Sequence, residues 1–427
     1  MKALLIGAAV SGRAALRLLE EDGYEVTVYD ADPAAVADLR EDRRVYGGPW
    51  DPGLLAGVEL VVTSPGVPPH TPPLADSVAA GVPIWGELEL AARHLAVPLL
   101  AVTATNGKTT ITQMATAMLT ASGRRAAAVG NIGVPLSEAV GGAWDALVVE
   151  ASSFQLRFIE SFHPRAAVLL NVAPDHLDWH GSFPAYLAAK ARIHRNQDEG
   201  ELLVYDGEDP GAREAVASAR SLRWPVSGRR RPPDGSGPEG GRLWLGDVEV
   251  DLAGMPSTDP TFLVNAAAAG TAALALGATG AGIDAALRSF QAPRHRREVI
   301  GTWEGVTWVD DSKATNPHAA VAAIRAYPSV VLIAGGRNKG LAVAEIAAED
   351  RLRHVIGIGE AGPEIVAAAR AGTMVADLAE AVALADRLAR PGDTVLLAPG
   401  CASFDMFRSY AHRGEVFAAT VRHRKGG

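Results

Sequence analysis

Cysteine is almost missing from this 427-residue chain, in which Cys401 stands alone. A single thiol makes neither an internal disulfide nor a thiolate metal cluster, the usage that a reducing compartment permits. A basic excess is missing too. Forty Lys plus Arg face 49 Asp plus Glu, a formal net charge of −9, the wrong sign for a protein whose main partner is a nucleic-acid backbone. Any anionic substrate must therefore be held by local cations. The longest uncharged stretch, 261–283, could span a bilayer by length, but it is mostly Ala, Gly and Thr and contains Asn265, which argues against insertion. The opening Met1-Lys2-Ala3-Leu4-Leu5-Ile6-Gly7 has too short an apolar run and lacks the small-residue cleavage pattern of a signal peptide, so it reads as a strand. The expectation is a cytoplasmic protein.

What is present is globular. Hydrophobic residues make up 48% and charged residues 21%, which excludes a disordered or fibrous chain, and the length suggests about three domains of ordinary size. Short β-branched or Leu-rich runs alternate with Ala-rich segments of helical period, the pattern of parallel sheets covered by helices. Strands are expected at 3–6, 25–29, 60–63, 99–103, 147–150, 166–170, 306–309, 330–334, 354–358 and 394–397. Boundaries are placed near 86, after Gly81-Val82-Pro83, and near 292, at Gln291-Ala292-Pro293. The Gly-, Pro- and Arg-rich stretch 227–241 reads as an exposed loop, and its Gly228-Arg229-Arg230-Arg231 run as either a solvated basic loop or a phosphate patch.

The chemistry concentrates after the strand at 99–103. Ala104-Thr105-Asn106-Gly107 is a turn, and Lys108-Thr109-Thr110 opens a helix running to about residue 122. A phosphate loop belongs there: amide N–H groups at a helix start face an anion, Lys108 reaches β and γ oxygens, and the Thr109 hydroxyl can ligate Mg²⁺. The strict pattern needs Gly at 102, where this chain has Val, so a plain strand-turn-helix stays open. A weaker signal, Gly7-Ala8-Ala9-Val10-Ser11-Gly12 with Asp30 ending the second strand, sits where a dinucleotide fingerprint would and keeps a nicotinamide oxidoreductase as a rival. Glu150 ends an apolar strand at the carboxyl edge, where such sheets bind ligands, and by itself reads as a solvated or capping carboxylate. Asp175, His176, Asp178 and His180 could instead form a zinc cluster. Lys190 reads by itself as an exposed helix lysine, and Cys401 as a small packed residue.

Taken in order, Asn106-Gly107-Lys108-Thr109-Thr110, Gly130-Asn131-Ile132-Gly133, Glu150-Ala151-Ser152-Ser153-Phe154-Gln155-Leu156, Asp310-Asp311-Ser312-Lys313-Ala314-Thr315-Asn316 and Cys401-Ala402-Ser403-Phe404-Asp405 resemble the motifs of the Mur ligase superfamily. The likeness covers essentially the whole chain and is nearest to the branch that adds D-glutamate. It implies an α/β fold of three domains: a Rossmann-like N-terminal UDP-binding domain (1–86), a central P-loop ATPase-type domain with a parallel sheet (87–292) and a C-terminal Rossmann-like domain for the amino acid (293–427). It implies an ATP-dependent ligase that joins D-glutamate to UDP-N-acetylmuramoyl-L-alanine through an acyl phosphate. Such an enzyme works in peptidoglycan synthesis, hence cell-wall biogenesis, cell shape and division, as a cytoplasmic monomer on small molecules without nucleic acid or membrane insertion. A sister amide ligase and a non-catalytic nucleotide sensor are the alternatives.

The resemblance also assigns residues. Lys108, Glu150, His176, Lys190 and Lys313 are implied to be catalytic. Thr109, Glu150, His176 and Lys190 are implied to hold two Mg²⁺ ions, with Lys190 carbamylated by CO₂. ATP would meet Asn106, Gly107, Lys108, Thr109, Thr110, Asn265, Arg296 and Asp311. The UDP substrate would meet Val10, Ser11, Ser64, Pro65, Gly66, Asn131 and His176, and D-glutamate would meet Thr315, Lys339, Ser403, Phe404 and Tyr410. The chain departs from the family pattern at Ala104, Ala173, Val264 and Ala268, and at Ala31 and Asp32 on the uridine side.

Overall fold

The structure is a computed structural model and describes residues 1–39 and 43–426. Its first sheet holds β1 (Lys2–Ile6), β2 (Glu25–Asp30), β3 (Arg44–Gly47), β4 (Leu60–Thr63) and β5 (Ile84–Gly86), all parallel, in the order β3-β2-β1-β4-β5. The second holds β6 (Leu99–Thr103), β7 (Ala126–Gly130), β8 (Ala146–Glu150), β9 (Ala166–Leu169), β10 (Leu202–Asp206) and β11 (Leu222–Val226), also parallel, in the order β11-β10-β9-β6-β8-β7. Every residue of β6 and of β8 is buried. That is why these strands read as unbroken apolar runs: helices cover both faces of a parallel sheet.

One covering helix, Lys108–Ala121, places Ile111, Met114, Ala115 and Met118 on the core at helical spacing. Another, Pro260–Leu274, starts at Asp259, whose carboxylate accepts from the Thr261 and Phe262 amides, and it is buried from Leu263 to Ala273. The uncharged stretch 261–283 is thus a core helix followed by a second one, Gly280–Arg288. No described helix is long and apolar enough to cross a membrane.

The expectation of an exposed loop at 227–241 holds for 229–234 and is corrected for the residues on either side. Ser227 and Ser236 are buried, and Ser236 Oγ accepts from both Trp224 Nε1 and Thr271 Oγ1. Residues 237–239 form β12 of a small antiparallel sheet with β13 (Arg242–Leu245) and β14 (Val248–Asp251). The side chains of Arg229 and Arg230 stand out next to Glu208, as a solvated basic loop would.

The last sheet has β15 (Glu298–Trp303), β16 (Val306–Asp310), β17 (Val330–Gly335), β18 (Leu352–Ile358), β19 (Gly372–Met374) and β20 (Thr394–Leu397), in the order β15-β16-β20-β17-β18-β19, with only β15 antiparallel. The chain makes two compact units, residues 1–172 with 184–290, and residues 173–183 with 291–427. The segment 173–183, expected in the central domain, belongs to the second unit.

Candidate active site

In open α/β sheets, ligands bind beyond the carboxyl ends of strands where the order reverses. In the second sheet that place is β6, which lies between β8 and β9. Three carboxyl-end segments therefore become neighbours: Ala104–Gly107 after β6, Glu150 at the end of β8, and Asn171 after β9. Register makes this concrete, with Val102 opposite Glu150 and Thr103 opposite Leu169.

Asn171 shapes the turn. Its carbonyl accepts from the Thr105 amide at 2.9 Å, its Oδ1 accepts from the Asn106 amide at 2.9 Å, and its Nδ2 donates to the Asn106 carbonyl at 2.9 Å. Gly107 follows with φ +97°, and a Cβ there would lie 2.8 Å from Asn265 Oδ1 and 3.3 Å from Leu170 Cδ2. The structure thereby brings Asn265, expected at the nucleotide, against the phosphate loop; its buried Oδ1 has no hydrogen-bond partner among the described residues. Gly107→Ala would meet both the left-handed backbone and this contact, a cost of about 1–2 kcal/mol. The KM for ATP is expected to rise about tenfold or more, read from initial rates at saturating cosubstrates.

Positive charge gathers on this loop. Lys108 Nζ donates to the carbonyl oxygens of Ala104 (2.8 Å) and Thr105 (3.2 Å). Lys190 Nζ donates to the same Ala104 carbonyl at 2.7 Å and to Thr103 Oγ1 at 3.3 Å, and lies 4.8 Å from the centre of the Tyr186 ring. Lys190 is only 1% exposed, so the reading of a solvated helix lysine is overturned. Glu150 is buried as well. One carboxylate oxygen accepts from Asn131 Nδ2 at 2.7 Å, and the other has no hydrogen-bond partner among the described residues. A buried carboxylate oxygen left unsatisfied is costly, and a cation would satisfy it. Oxygen donors from a carboxylate and from the Thr109 hydroxyl suit Mg²⁺. The Ser-Ser-Phe-Gln run after Glu150 is a capping box: Ser152 Oγ accepts from the Gln155 amide, and Gln155 Oε1 accepts from the Ser152 amide at 2.9 Å. These residues fix the chain just beyond the carboxylate.

In the first sheet the order reverses at β1 and β4. Val10 and Ser11 follow β1, the first exposed and the second half-buried, while Ser64, Pro65 and Gly66 follow β4. Ser64 is buried, with its hydroxyl donating to the Gly7 carbonyl at 2.8 Å, so it shapes the loop. Asp30 accepts from the Ala8 amide at 2.8 Å and the Asp32 amide at 2.9 Å, which ties the strand end to the Gly7–Gly12 turn.

The second unit gathers three loops beyond β16, β17 and β20, which are neighbours through β20. Asp311 sits in the first; burial pushes its carboxyl up to about 6 against the pull of Arg297 and Arg296. Arg296 and Asp311 thus lie close enough to act on each other through space. Lys313 Nζ lies 3.8 Å from the centre of the Tyr410 ring, uniting two more expected residues by cation–π attraction. Thr315 is half-buried on the same turn, Ser403 is buried, and Phe404 is 66% exposed. Lys339 donates to Asp175 Oδ1 at 2.6 Å, and Asn316 Nδ2 donates to Asp175 Oδ2 at 3.0 Å. Burial would raise the Asp175 carboxyl, but Lys339, His176 and Asn316 together hold it below its ordinary value.

His176 has a left-handed backbone (φ +52°) and its Nε2 stands 3.7 Å from Asp175 Oδ2. The zinc reading of 175–180 is not supported, because the one convergent grouping of three such ligands among the described residues is His295, Glu298 and Asp310. There His295 Nδ1 is already hydrogen-bonded to Asp310 Oδ2 at 2.7 Å. Cys401 is buried, which pushes its thiol up to about 12, as fits a packed residue. Sequence reasoning missed the bracing by Asn171 and Asp175, and it missed Arg413. Asn171 and Asp175 both stand in the Asn171-Val172-Ala173-Pro174-Asp175 run after a buried strand, a signal that was available.

Comparison with known proteins agrees with this layout. Residues 1–86 match the Mur ligase MurD-like N-terminal domain, 102–226 the Mur ligase middle domain and 295–401 the Mur ligase glutamate ligase domain. A UDP-N-acetylmuramoylalanine–D-glutamate ligase of Frankia casuarinae is 45% identical, covering 99% of this chain and 94% of that protein. The protein of the same name from Desulfosudis oleivorans is 39% identical, covering 100% and 97%. Among solved structures, a MurF ligase of Thermotoga maritima in complex with ADP aligns with TM-score 0.60 at 18% identity, covering 99% of this chain and 95% of that one. The UDP-N-acetylmuramate-alanine ligase of the same organism aligns with TM-score 0.56 at 18% identity over 100% of both. These structural likenesses concern the fold.

Proposed function

The chain belongs to the Mur ligase family, and we infer that it is the ATP-dependent ligase that joins D-glutamate to UDP-N-acetylmuramoyl-L-alanine in peptidoglycan synthesis. What carries the inference is full-length similarity to D-glutamate ligases combined with a strand-turn-helix loop held by two lysines, next to a strand that ends in the buried carboxylate of Glu150. The acceptor's carboxylate oxygen attacks the γ-phosphorus, the bond to the β-γ bridging oxygen breaks, and ADP leaves. The amine of D-glutamate then attacks the acyl phosphate carbon, the tetrahedral intermediate expels phosphate, and the amine proton passes to solvent.

Each residue keeps the role its position suggests. Backbone amides of Gly107, Thr109 and Thr110 face the phosphates, Asn106 lines the loop with its amide held by Asn171, and Lys108 exchanges the Ala104 carbonyl for β and γ oxygens. Asn265, Arg296 and Asp311 serve the adenosine. Thr109, Glu150 and a carbamylated Lys190 would hold Mg²⁺, with His176 as the further ligand that family resemblance gives it. Bound there, Mg²⁺ supplies charge neutralisation among anionic reactants. Asn131 orients Glu150 and meets the muramoyl side, while Val10, Ser11, Ser64, Pro65 and Gly66 serve the UDP end. Lys313, Thr315, Lys339, Ser403, Phe404 and Tyr410 serve D-glutamate. The domains 1–86, 87–292 and 293–427 then bring the acceptor, ATP and the amino acid respectively, in a cytoplasmic monomer supporting cell-wall biogenesis, cell shape and division.

The deciding experiment measures phosphate release with ATP, Mg²⁺ and UDP-N-acetylmuramoyl-L-alanine. D-glutamate is expected to stimulate it at least ~100-fold over L-glutamate, since the wrong hand misplaces a carboxylate or the amine. Equal stimulation by both, or by another amino acid alone, would reject the assignment.

A further inference from the structure

Arg413 lies in the first turn of the helix Tyr410–Arg424, yet it is only 1% exposed. A guanidinium on a helix end ordinarily reaches water or a carboxylate, because removing its charge from water is expensive. Here every hydrogen-bond acceptor is neutral. Nε donates to Ser312 Oγ (2.9 Å), and Nη2 donates to the Ser312 carbonyl (2.9 Å) and the Cys401 carbonyl (3.2 Å). Nη1 donates to the carbonyls of Cys401 (3.2 Å) and Ala402 (3.4 Å). Ser312 Oγ in turn donates to the Tyr410 carbonyl at 2.8 Å.

These contacts join the loop that carries Lys313 to the loop that carries Ser403. The third loop enters through the backbone: the Arg337 amide donates to the Ala402 carbonyl at 2.9 Å, and the Ala402 amide donates to the Arg337 carbonyl at 3.0 Å. Gly336 makes room for the guanidinium, since a Cβ at that position (φ +132°) would lie 2.3 Å from the Ala402 carbonyl oxygen and 3.2 Å from Arg413 Nη1. Lys339 is on this third loop.

We propose that Arg413 is a positioning residue for the amino-acid substrate: its fork fixes Lys313, Ser403 and Lys339 in register, and its charge, neutralised by no hydrogen-bonded carboxylate, favours a dicarboxylate in the pocket they form. The inference rests on the D-glutamate reading above. A planar five-donor fork can serve two loops at once, which a lysine ammonium cannot. Burial lowers the guanidinium to about 10, which still leaves it charged near neutrality. The nearby carboxylates of Asp310 and Asp405 act on it only through space.

The test begins with the unaltered protein, whose turnover of D-glutamate establishes the reading independently of Arg413. Arg413→Lys is then expected to raise the KM for D-glutamate at least ~20-fold while the KM values for ATP and the UDP acceptor stay within about twofold, because only one substrate loses its positioned contacts. A scaffold role alone would move all three together. If Arg413→Lys does not fold, Ser312→Ala decides, since it keeps the guanidinium but removes the hydroxyl between Nε and the Tyr410 carbonyl. Its D-glutamate KM is expected to rise about fivefold, with the other two unchanged. An unchanged D-glutamate KM in the deciding variant, or a parallel rise in all three, would overturn the proposal.

Discussion

Glu150→Gln is expected to lower kcat by about 10³-fold or more while leaving the melting temperature unchanged or slightly higher. Loss of a metal-binding carboxylate removes several kcal/mol of charge stabilisation, and each ~1.4 kcal/mol is a factor of ten. The stability side of the prediction separates function from folding. Glu150 is buried with one oxygen that finds no partner among the described residues, an arrangement that costs free energy and is relieved by neutralising the group. Gln keeps the shape and the oxygen that accepts from Asn131. A function–stability trade-off of this sign marks a residue retained for chemistry. Unchanged kcat, measured by phosphate release beside a thermal melt, would remove Glu150 from the site.

Lys190→Ala should abolish turnover to a similar extent, and the form of the loss discriminates between two states of the lysine. A protonated ammonium has three donors and no acceptor, so it cannot ligate a cation. A carbamate turns the same side chain into a carboxylate-like ligand, formed when the neutral amine takes up CO₂ and a proton leaves to solvent. Lys190→Arg preserves positive charge but cannot form this carbamate. We expect both variants to lose ~10³-fold in kcat, the scale of a lost metal ligand, and a carbonyl signal from ¹³C-bicarbonate to appear in the parent protein alone. Near-parental activity in Lys190→Arg, with no such signal, would assign Lys190 an ammonium role.

The parallel strands were legible in the sequence because burial on both faces leaves no polar alternation, as in Leu99-Leu100-Ala101-Val102-Thr103. The strand-turn-helix around Gly107 was legible because an apolar strand, a Gly-containing turn and a helical period stand contiguous. By contrast, β12 to β14 grow out of a segment rich in Gly, Pro and Arg, and their order depends on Ser236 being held by Trp224 and Thr271. Such contacts are made by residues far apart in the chain and leave no local period. The same holds for Asp175, whose partners Asn316 and Lys339 lie 141 and 164 residues away. Arg413 reads from sequence as one of several basic residues on a terminal helix, and only its neutral carbonyl partners give it another meaning.

The inert thiol has a practical corollary. With the one native sulfhydryl buried and raised to about 12, maleimide chemistry finds no background on this enzyme. Phe404→Cys would therefore introduce a single addressable handle on an open residue of the loop after β20, so that a fluorophore can follow that loop during turnover without first stripping cysteines from the parent.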